Sequence, residues 1–248
     1  MKPVAVFQVR FLPETGSTND DAAKLLGEPG SAGLVLQADF QSAGRGRRAR
    51  SWVAPRGSSL LFTAILPEAI PSDALWALPF WTALCVAEGI EAACGVRVDL
   101  QWPNDLLLGA RKCCGILCVS RVAGERAWVG CGVGLNVVRP QHDPELAAVE
   151  PPPAFLSDIA PGVDRITVLA EILATYERRL PELAASATIA RAWERRASLH
   201  GTPYRILVDG SDTALDVVAR SIGADGSLIV DDAGTSRTIS LADARVLR

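Results

Sequence analysis

An arginine-rich segment at residues 41–52, QSAGRGRRARSW, separates two short apolar runs with the composition of β-strands, residues 34–38 and 59–66. Four arginines fall within six residues of this segment, and no carboxylate lies among them. The connection between the runs is about twenty residues long, and connections of that length in compact domains are usually functional or disordered. A charged run is often only a solvated surface, but its place between two core strands predicts a loop that binds a polyanion. We call residues 41–52 the arginine loop.

The overall charge limits which polyanion this can be. The 248-residue chain carries a formal net charge of −3, whereas a general DNA or RNA binder normally shows a basic excess. Hydrophobic residues make up 49% of the chain, which is typical of a folded globular protein. Because the positive charge is local, the expected anion is small.

The N-terminal residues and the cysteines indicate the cellular compartment of the protein and whether it holds a zinc ion. Residues 1–11 hold the apolar run VAVF, interrupted by Arg10, and predict a first strand rather than a signal peptide. The uncharged stretch 74–87 is shorter than the roughly 18 residues of a membrane span and predicts a core helix. The six cysteines show no regular framework, which favours reduced, buried thiols in the cytoplasm over a zinc site.

Several polar residues lie where both a structural and a functional interpretation are possible. A short helix begins near Ser17, Thr18 and Asn19. These residues could cap the helix, or their hydroxyl and amide groups could bind a polar ligand at its start. Trp52 closes the arginine loop and could pack in the core or stack on a flat ligand. Lys112 enters an apolar strand, either as an edge-strand lysine with an exposed head group or as a functional residue.

The glycine-rich run AWVGCGVGLNV at residues 127–137 predicts a strand. A Rossmann dinucleotide site would require a helix directly after it, and a proline-rich segment follows instead. Glycines within a strand more often mark a place where a ligand or another backbone approaches closely. Nucleotide binding of the Rossmann type is therefore not expected.

The spacing of apolar residues changes from helical to strand-like near residue 200. A helix capped by Thr167 and a second helix at about residues 185–199 are followed, from Gly201 onward, by short strands separated by turns. We therefore predict two domains, residues 1–200 and residues 201–248, the second a small β-barrel.

Four segments occur in a fixed order: Ser17-Thr18-Asn19, QSAGRGRRARSW, WPNDLLLGARKCCGIL and GVGLN. Together they resemble biotin protein ligases, which activate biotin with ATP and attach it to a lysine of an acceptor protein. The resemblance spans essentially the whole chain and is densest at residues 11–137. It implies an α+β fold with a mixed, mostly antiparallel sheet, as in lipoate ligases and class II synthetases, and an SH3-like C-terminal domain.

The resemblance also implies roles for residues at matched positions. The biotin pocket and the loop folding over biotin and its adenylate would be formed by Ser17, Thr18, Asn19, Gln41, Arg45, Gly46, Arg47 and Gly115. The positions expected to contact ATP are Arg47, Arg50, Trp52, Asn104 and Asn136. Lys112 would lie beside the biotin carboxylate and the α-phosphate, and Asp105 is the candidate to orient or deprotonate the acceptor amine.

These residue types suit the implied chemistry. Biotin's carboxylate must attack the α-phosphate of ATP, so two anions meet while negative charge builds on the phosphorus oxygens. Arginines, a lysine and Mg²⁺ can stabilise that charge. The second step needs a neutral acceptor amine, supplied by a biotin carboxyl carrier protein domain. The sequence does not identify the ligands of Mg²⁺.

Three positions depart from the family pattern: Gln101 replaces a lysine before WPND, and Ala49 and Ala54 replace a glycine and a serine. We expect the activity to survive these changes. Only 16 residues precede Ser17, too few for the DNA-binding domain of some family members, so we expect no operator binding; a monomer or a homodimer is compatible with the sequence. The alternatives are lipoate or octanoate transfer on the same fold, and a non-enzymatic anion or RNA binder.

Overall fold

The computed structural model describes residues 6–209, 211–241 and 244–247. Its larger sheet contains eight strands: β1 (Gln8–Leu12), β2 (Leu34–Ala38), β3 (Ser59–Ile65), β4 (Ile70–Pro71), β5 (Asp99–Gln101), β6 (Asp105–Leu108), β7 (Arg111–Ala123) and β8 (Arg126–Asn136). The strand order is β1-β2-β3-β8-β7-β6-β5, with β4 paired to β8. Only the β1–β2 pair is parallel among these described strands. The predicted mixed, mostly antiparallel sheet is confirmed. The first strand lies later than residues 1–11 suggested, and residues 1–5 fall outside the described part of the chain.

Five α-helices accompany the sheet in the described part of the chain: α1 (Thr18–Leu25), α2 (Leu78–Cys94), α3 (Pro144–Ala147), α4 (Arg165–Arg179) and α5 (Ser186–Arg196). Helix α2 is apolar on nearly every side and is buried against α4 and the sheet, where Trp81 contacts Tyr176 with ring centroids 4.8 Å apart. The stretch Ser72–Cys94 has the length and composition of a membrane-crossing helix, and 67% of its most apolar window is buried inside the protein, as in a core helix. Gly95 ends α2 in the left-handed conformation, which glycine adopts without steric cost.

A second sheet of five strands follows: β9 (Pro203–Val208), β10 (Leu215–Ile222), β11 (Leu228–Asp232), β12 (Thr235–Ile239) and β13 (Ala244–Val246). Their order is β12-β11-β10-β9-β13. This sheet packs on the rest of the protein through Trp102, whose indole N–H donates to the Gly226 carbonyl at 3.1 Å. The backbone N–H of Trp102 donates to the Tyr204 hydroxyl at 3.3 Å. The division into domains at residue 200 stays a prediction.

Two local expectations need correction. Asp164, rather than Thr167, caps α4, because its side chain accepts the Thr167 backbone N–H at 2.8 Å. The turn signals in the sequence also did not reveal β13, a three-residue strand that pairs with β9.

All six cysteines are free, and burial raises the pKa of the Cys113 thiol to about 12.

Candidate active site

One cavity of about 600 Å³ lies between the start of α1, the arginine loop, and strands β7 and β8. All the residues that the sequence singled out, except Asp105, line this cavity: Ser17, Thr18, Asn19, Gln41, Arg45, Gly46, Arg47, Arg50, Trp52, Asn104, Lys112, Gly115 and Asn136. The first and the last of them, Ser17 and Asn136, are more than a hundred residues apart in the sequence. The fold thus brings the four sequence segments together around a single volume.

The first turn of α1 is held by a residue of the arginine loop. Ser17 occupies the N-cap position, but its side chain makes no capping hydrogen bond. Instead, the side-chain carbonyl of Gln41 accepts the backbone N–H of Thr18 at 2.7 Å and lies 3.0 Å from the Thr18 hydroxyl. Gln41 therefore satisfies the helix start, and the buried Ser17 hydroxyl stays at the cavity wall.

Thr63, on β3, is a buried polar residue that sequence reasoning missed. Its hydroxyl donates to the Asn19 carbonyl oxygen at 2.7 Å and lies 2.9 Å from the Thr18 hydroxyl. The Asn19 amide donates in turn to the Leu117 carbonyl at 2.9 Å. A hydroxyl has one proton to donate, and the buried Asn19 oxygen needs it. These bonds tie α1 to β3 and β7.

The glycines of β8 make room for the cavity wall. A Cβ on Gly132 would lie 2.1 Å from the Asn19 oxygen, and one on Gly134 would lie 2.7 Å from the Trp52 ring. Gly115 pairs with Gly134 across the sheet, and its Cβ would lie 2.9 Å from the same ring. The expected close approach is thus made by the side chains of Asn19 and Trp52.

Lys112 points into the cavity rather than along a free edge. Its ammonium is 2.6 Å from an Asp105 oxygen and 5.4 Å from the centroid of the Trp52 ring. The side chains of Lys112 and Asp105 are 26% and 12% exposed, so the pair is largely shielded from water. Asp105 does not line the cavity but holds the lysine that does.

The arginine loop is anchored at several points. Arg45 pairs with Asp20 at 2.9 Å, and the Arg47 guanidinium donates to Asn104 at 3.4 Å and to the Leu241 carbonyl. Burial lowers the pKa of Arg47 from its usual value. Arg48 has a φ of 61°, in the left-handed region, and forms an ion pair with Asp209 after β9. The loop is thus attached to the C-terminal sheet, a connection that the sequence did not predict.

The two asparagines expected to contact ATP use their side-chain amides within the protein. Asn104 donates to the Ile116 carbonyl at 2.6 Å, and Asn136 donates to the Ala154 carbonyl at 3.1 Å. Asn136 thereby holds the end of the segment 146–153, which contributes to the cavity wall. Contact of either asparagine with ATP stays a prediction.

After β8, a hydrogen bond from Arg139 lowers the pKa of the Asp158 carboxyl.

Two of the three departures from the family pattern, Gln101 and Ala54, lie where they do not interrupt this arrangement. Gln101 ends β5 opposite Asp105, and Ala54 is buried after the arginine loop. Among the residues that the structure describes, no three His, Cys, Asp or Glu side chains come together as a metal cluster.

Comparison with known proteins agrees with this fold. The model of the Biotin/lipoate A/B protein ligase family matches residues 12–136. The chain belongs to this family.

Similar sequences include the biotin–[acetyl-CoA-carboxylase] ligase of Mycobacterium tuberculosis, 30% identical, with 97% of this chain and 90% of the relative covered. The enzyme of the same name from Paracoccus denitrificans is 35% identical, with 78% and 82% covered. The bifunctional ligase/repressor of Bacillus subtilis is 32% identical over 76% of this chain. The match spans only 59% of that relative's length.

Among solved structures, the biotin protein ligase of Aquifex aeolicus in complex with biotin and ATP superposes with a TM-score of 0.76. The superposition covers 97% of this chain and 99% of the other at 23% sequence identity. The predicted α+β fold class is confirmed by this likeness.

Proposed function

We propose that this protein is an ATP-dependent biotin protein ligase. It would join biotin and ATP into biotinyl-5′-AMP with release of pyrophosphate, and then transfer biotin to a lysine of a biotin carboxyl carrier protein domain. The observation that carries the proposal is the single cavity lined both by the polar start of α1 and by Arg47, Arg50 and Lys112.

In the first step, the cationic side chains hold two anions together. Lys112, which is paired with Asp105, would contact the biotin carboxylate and the α-phosphate. Arg47 and Arg50 would contact the phosphates and stabilise charge on the departing pyrophosphate. Cations fixed in a shielded site stabilise a transition state more strongly than cations in water.

In the second step, the acceptor amine attacks the acyl carbon of the adenylate and AMP leaves. Free lysine has a pKa of about 10.4, so the amine must lose a proton before it attacks. Asp105 is the carboxylate proposed to orient the amine and take that proton. No covalent bond to the enzyme is needed.

Magnesium would enter with the nucleotide. The ion is usually held by one or two carboxylates together with substrate phosphates, and the described residues form no preassembled cluster. The ion would therefore be held mainly by the ATP phosphates, whose charge it would neutralise.

The acceptor class is inferred from the relatives. The proteins of M. tuberculosis and P. denitrificans are named for acetyl-CoA carboxylase, whose biotin carboxyl carrier domain is the proposed partner here. A cytoplasmic location is proposed with it, because the carrier and ATP must meet the enzyme.

The polar wall favours biotin over lipoate. Biotin's ureido ring needs hydrogen-bonding groups, whereas the dithiolane ring and the octanoyl chain need an apolar channel. Ser17, Thr18, Asn19 and Gln41 supply hydroxyl and amide groups at the cavity wall.

Labelling a carrier domain tests the proposal. Purified protein with MgATP, biotin and the carrier should give a product that streptavidin detects on a blot. Lipoic acid in place of biotin is the matched comparison. Lipoylation of a carrier without any biotinylation would refute the assignment.

Thr63 should control biotin affinity. Thr63→Val keeps the shape but leaves the buried Asn19 oxygen without its donor, a loss of about 1–3 kcal/mol. We expect the Kd for biotin, measured by calorimetry, to rise about tenfold to a hundredfold, with the KM for ATP nearly unchanged. Thr63→Ser should restore binding. Thr82→Val, another fully buried threonine, whose hydroxyl lies 3.9 Å from the Cys118 sulfur, is the control. Equal effects of the Thr63 and Thr82 changes would contradict the role.

The ion pair between Arg48 and Asp209 should support ATP binding. Arg48→Asp or Asp209→Arg alone should raise the KM for ATP about two- to fivefold, the size expected for a partly exposed pair. The charge-swapped double variant should recover the lost affinity. Exchanging the charges of Arg220 and Asp231, an ion pair within the C-terminal sheet, should leave the KM for ATP unchanged. Failure of the double variant to recover would count against the coupling.

A further inference from the structure

A second cavity of about 230 Å³ adjoins the first. Its wall is mainly apolar and includes Leu75, Leu78, Pro79, Val119 and Leu241. Arg47, Asn104, Ile116 and Leu117 line both cavities. The smaller cavity is therefore a side chamber that meets the main cavity at Arg47 and Asn104.

The size and position of the side chamber indicate what it can hold. Pockets for whole small molecules usually measure about 300–1,000 Å³, so this volume suits one extended side chain. Strand β6 pairs with β7 only from Arg111 to Gly115. Residues 116–120 of β7, which line the chamber, therefore lie beyond β6 at the edge of the sheet. A side chain carried by another macromolecule can approach there.

We propose that this side chamber binds the aliphatic arm of the acceptor lysine, an inference that rests on the proposed ligase function. A lysine side chain combines a four-carbon stem with a terminal amine. The stem would lie along Leu75 and Leu241, and the amine would pass Arg47 and Asn104 into the main cavity. There it would meet the acyl carbon of the adenylate, near Lys112 and Asp105.

The apolar wall also prepares the amine for reaction. Removing a lysine from water disfavours its charged form, and so does the nearby cation of Arg47. The neutral nitrogen then bonds to the acyl carbon, while the bond from that carbon to the phosphate oxygen breaks. AMP leaves with the bonding electrons; Asp105 has taken the first proton of the amine, and the second N–H proton of the attacking nitrogen leaves to water. The chamber thus contributes the neutral nucleophile that the second step requires.

Transfer from preformed biotinyl-AMP to small amines tests the chamber without the carrier surface. Nα-acetyl-lysine amide has the lysine stem, whereas hydroxylamine has none and needs no chamber. Leu75→Asp introduces a charge into the wall, and Ile166→Asp introduces the same charge at a residue that is 73% exposed on α4. Single-turnover transfer is measured with both amines and both variants, and thermal unfolding confirms that each variant is folded.

We expect Leu75→Asp to slow transfer to Nα-acetyl-lysine amide about tenfold or more, a loss of about 1.4 kcal/mol. The rate with hydroxylamine should stay within about twofold, and Ile166→Asp should leave both rates unchanged. An unchanged rate with Nα-acetyl-lysine amide, or an equal loss with hydroxylamine, would overturn the inference. Failure of the unaltered protein to form an adenylate from biotin and ATP would instead overturn the proposed ligase function, and the inference with it.

Discussion

Replacing Lys112 by alanine should slow adenylate formation about 10²- to 10³-fold, the usual cost of removing one transition-state donor. The ammonium lies 2.6 Å from Asp105, and the Lys112 side chain is only 26% exposed, so water replaces the ammonium poorly. Its loss leaves the Asp105 carboxylate without a counter-ion beside two incoming anions. Pyrophosphate release with saturating biotin and ATP measures this step. Because the missing interaction acts in the transition state, kcat should fall more than the affinity for biotin.

Two further variants make the Lys112 result specific. Lys24→Ala removes a lysine whose side chain is 74% exposed, and it should leave pyrophosphate release unchanged. Lys112→Arg keeps the charge but changes its geometry, and should recover only part of the rate. Pyrophosphate release by Lys112→Ala within about threefold of the unaltered protein would remove Lys112 from the proposed mechanism.

Local sequence signals revealed much of the site. The arginine loop and Lys112 stood out because charged residues are unusual between or within apolar strands. The family resemblance supplied the expected roles of Trp52 and Asn104, which the residues alone did not give. That the segments would surround one cavity was an expectation until the fold placed them there.

Long-range contacts could not be predicted in the same way. Thr63 is a single hydroxyl in the apolar run LLFTAIL, and nothing in that run indicates that it faces Asn19, 44 positions away. The pairing of Arg48 with Asp209 joins the arginine loop to the C-terminal sheet across an even longer separation. Such contacts depend on how sheets and loops pack, and a pattern read along the chain does not encode them.

The glycine pattern of β8 was visible, but the reason for it was not. Glycines in a strand predicted the close approach of a ligand or another backbone, whereas the groups that approach are side chains. Gly130, Gly132 and Gly134 alternate along the strand and therefore point to one face. On that face they meet Thr63, Asn19 and Trp52 in turn. The side chains of the cavity wall pack directly against these glycines. An atom added at the middle glycine, Gly132, would therefore clash with them.

Gly132→Ala should lower biotin affinity about tenfold or more, a loss of about 1.4 kcal/mol, because the added methyl group displaces groups of the proposed biotin pocket. The added Cβ would lie 2.1 Å from the Asn19 oxygen and 2.5 Å from the Leu117 carbonyl, the two groups that fix Asn19 in place. One of them must move, and the start of α1 moves with Asn19. Overpacking of this kind also costs about 1–3 kcal/mol of stability, which thermal unfolding would measure.

Gly16→Ala is the matched control for Gly132→Ala, because a Cβ at Gly16 meets no atom within 4 Å. Biotin affinity by calorimetry should separate the two variants while both remain folded. If the Gly132→Ala protein keeps its fold and binds biotin as tightly as the Gly16→Ala protein, Asn19 does not have to stay in place for binding. The hydrogen bonds from Thr63 through Asn19 to Leu117 would then stabilise the fold without shaping the biotin pocket.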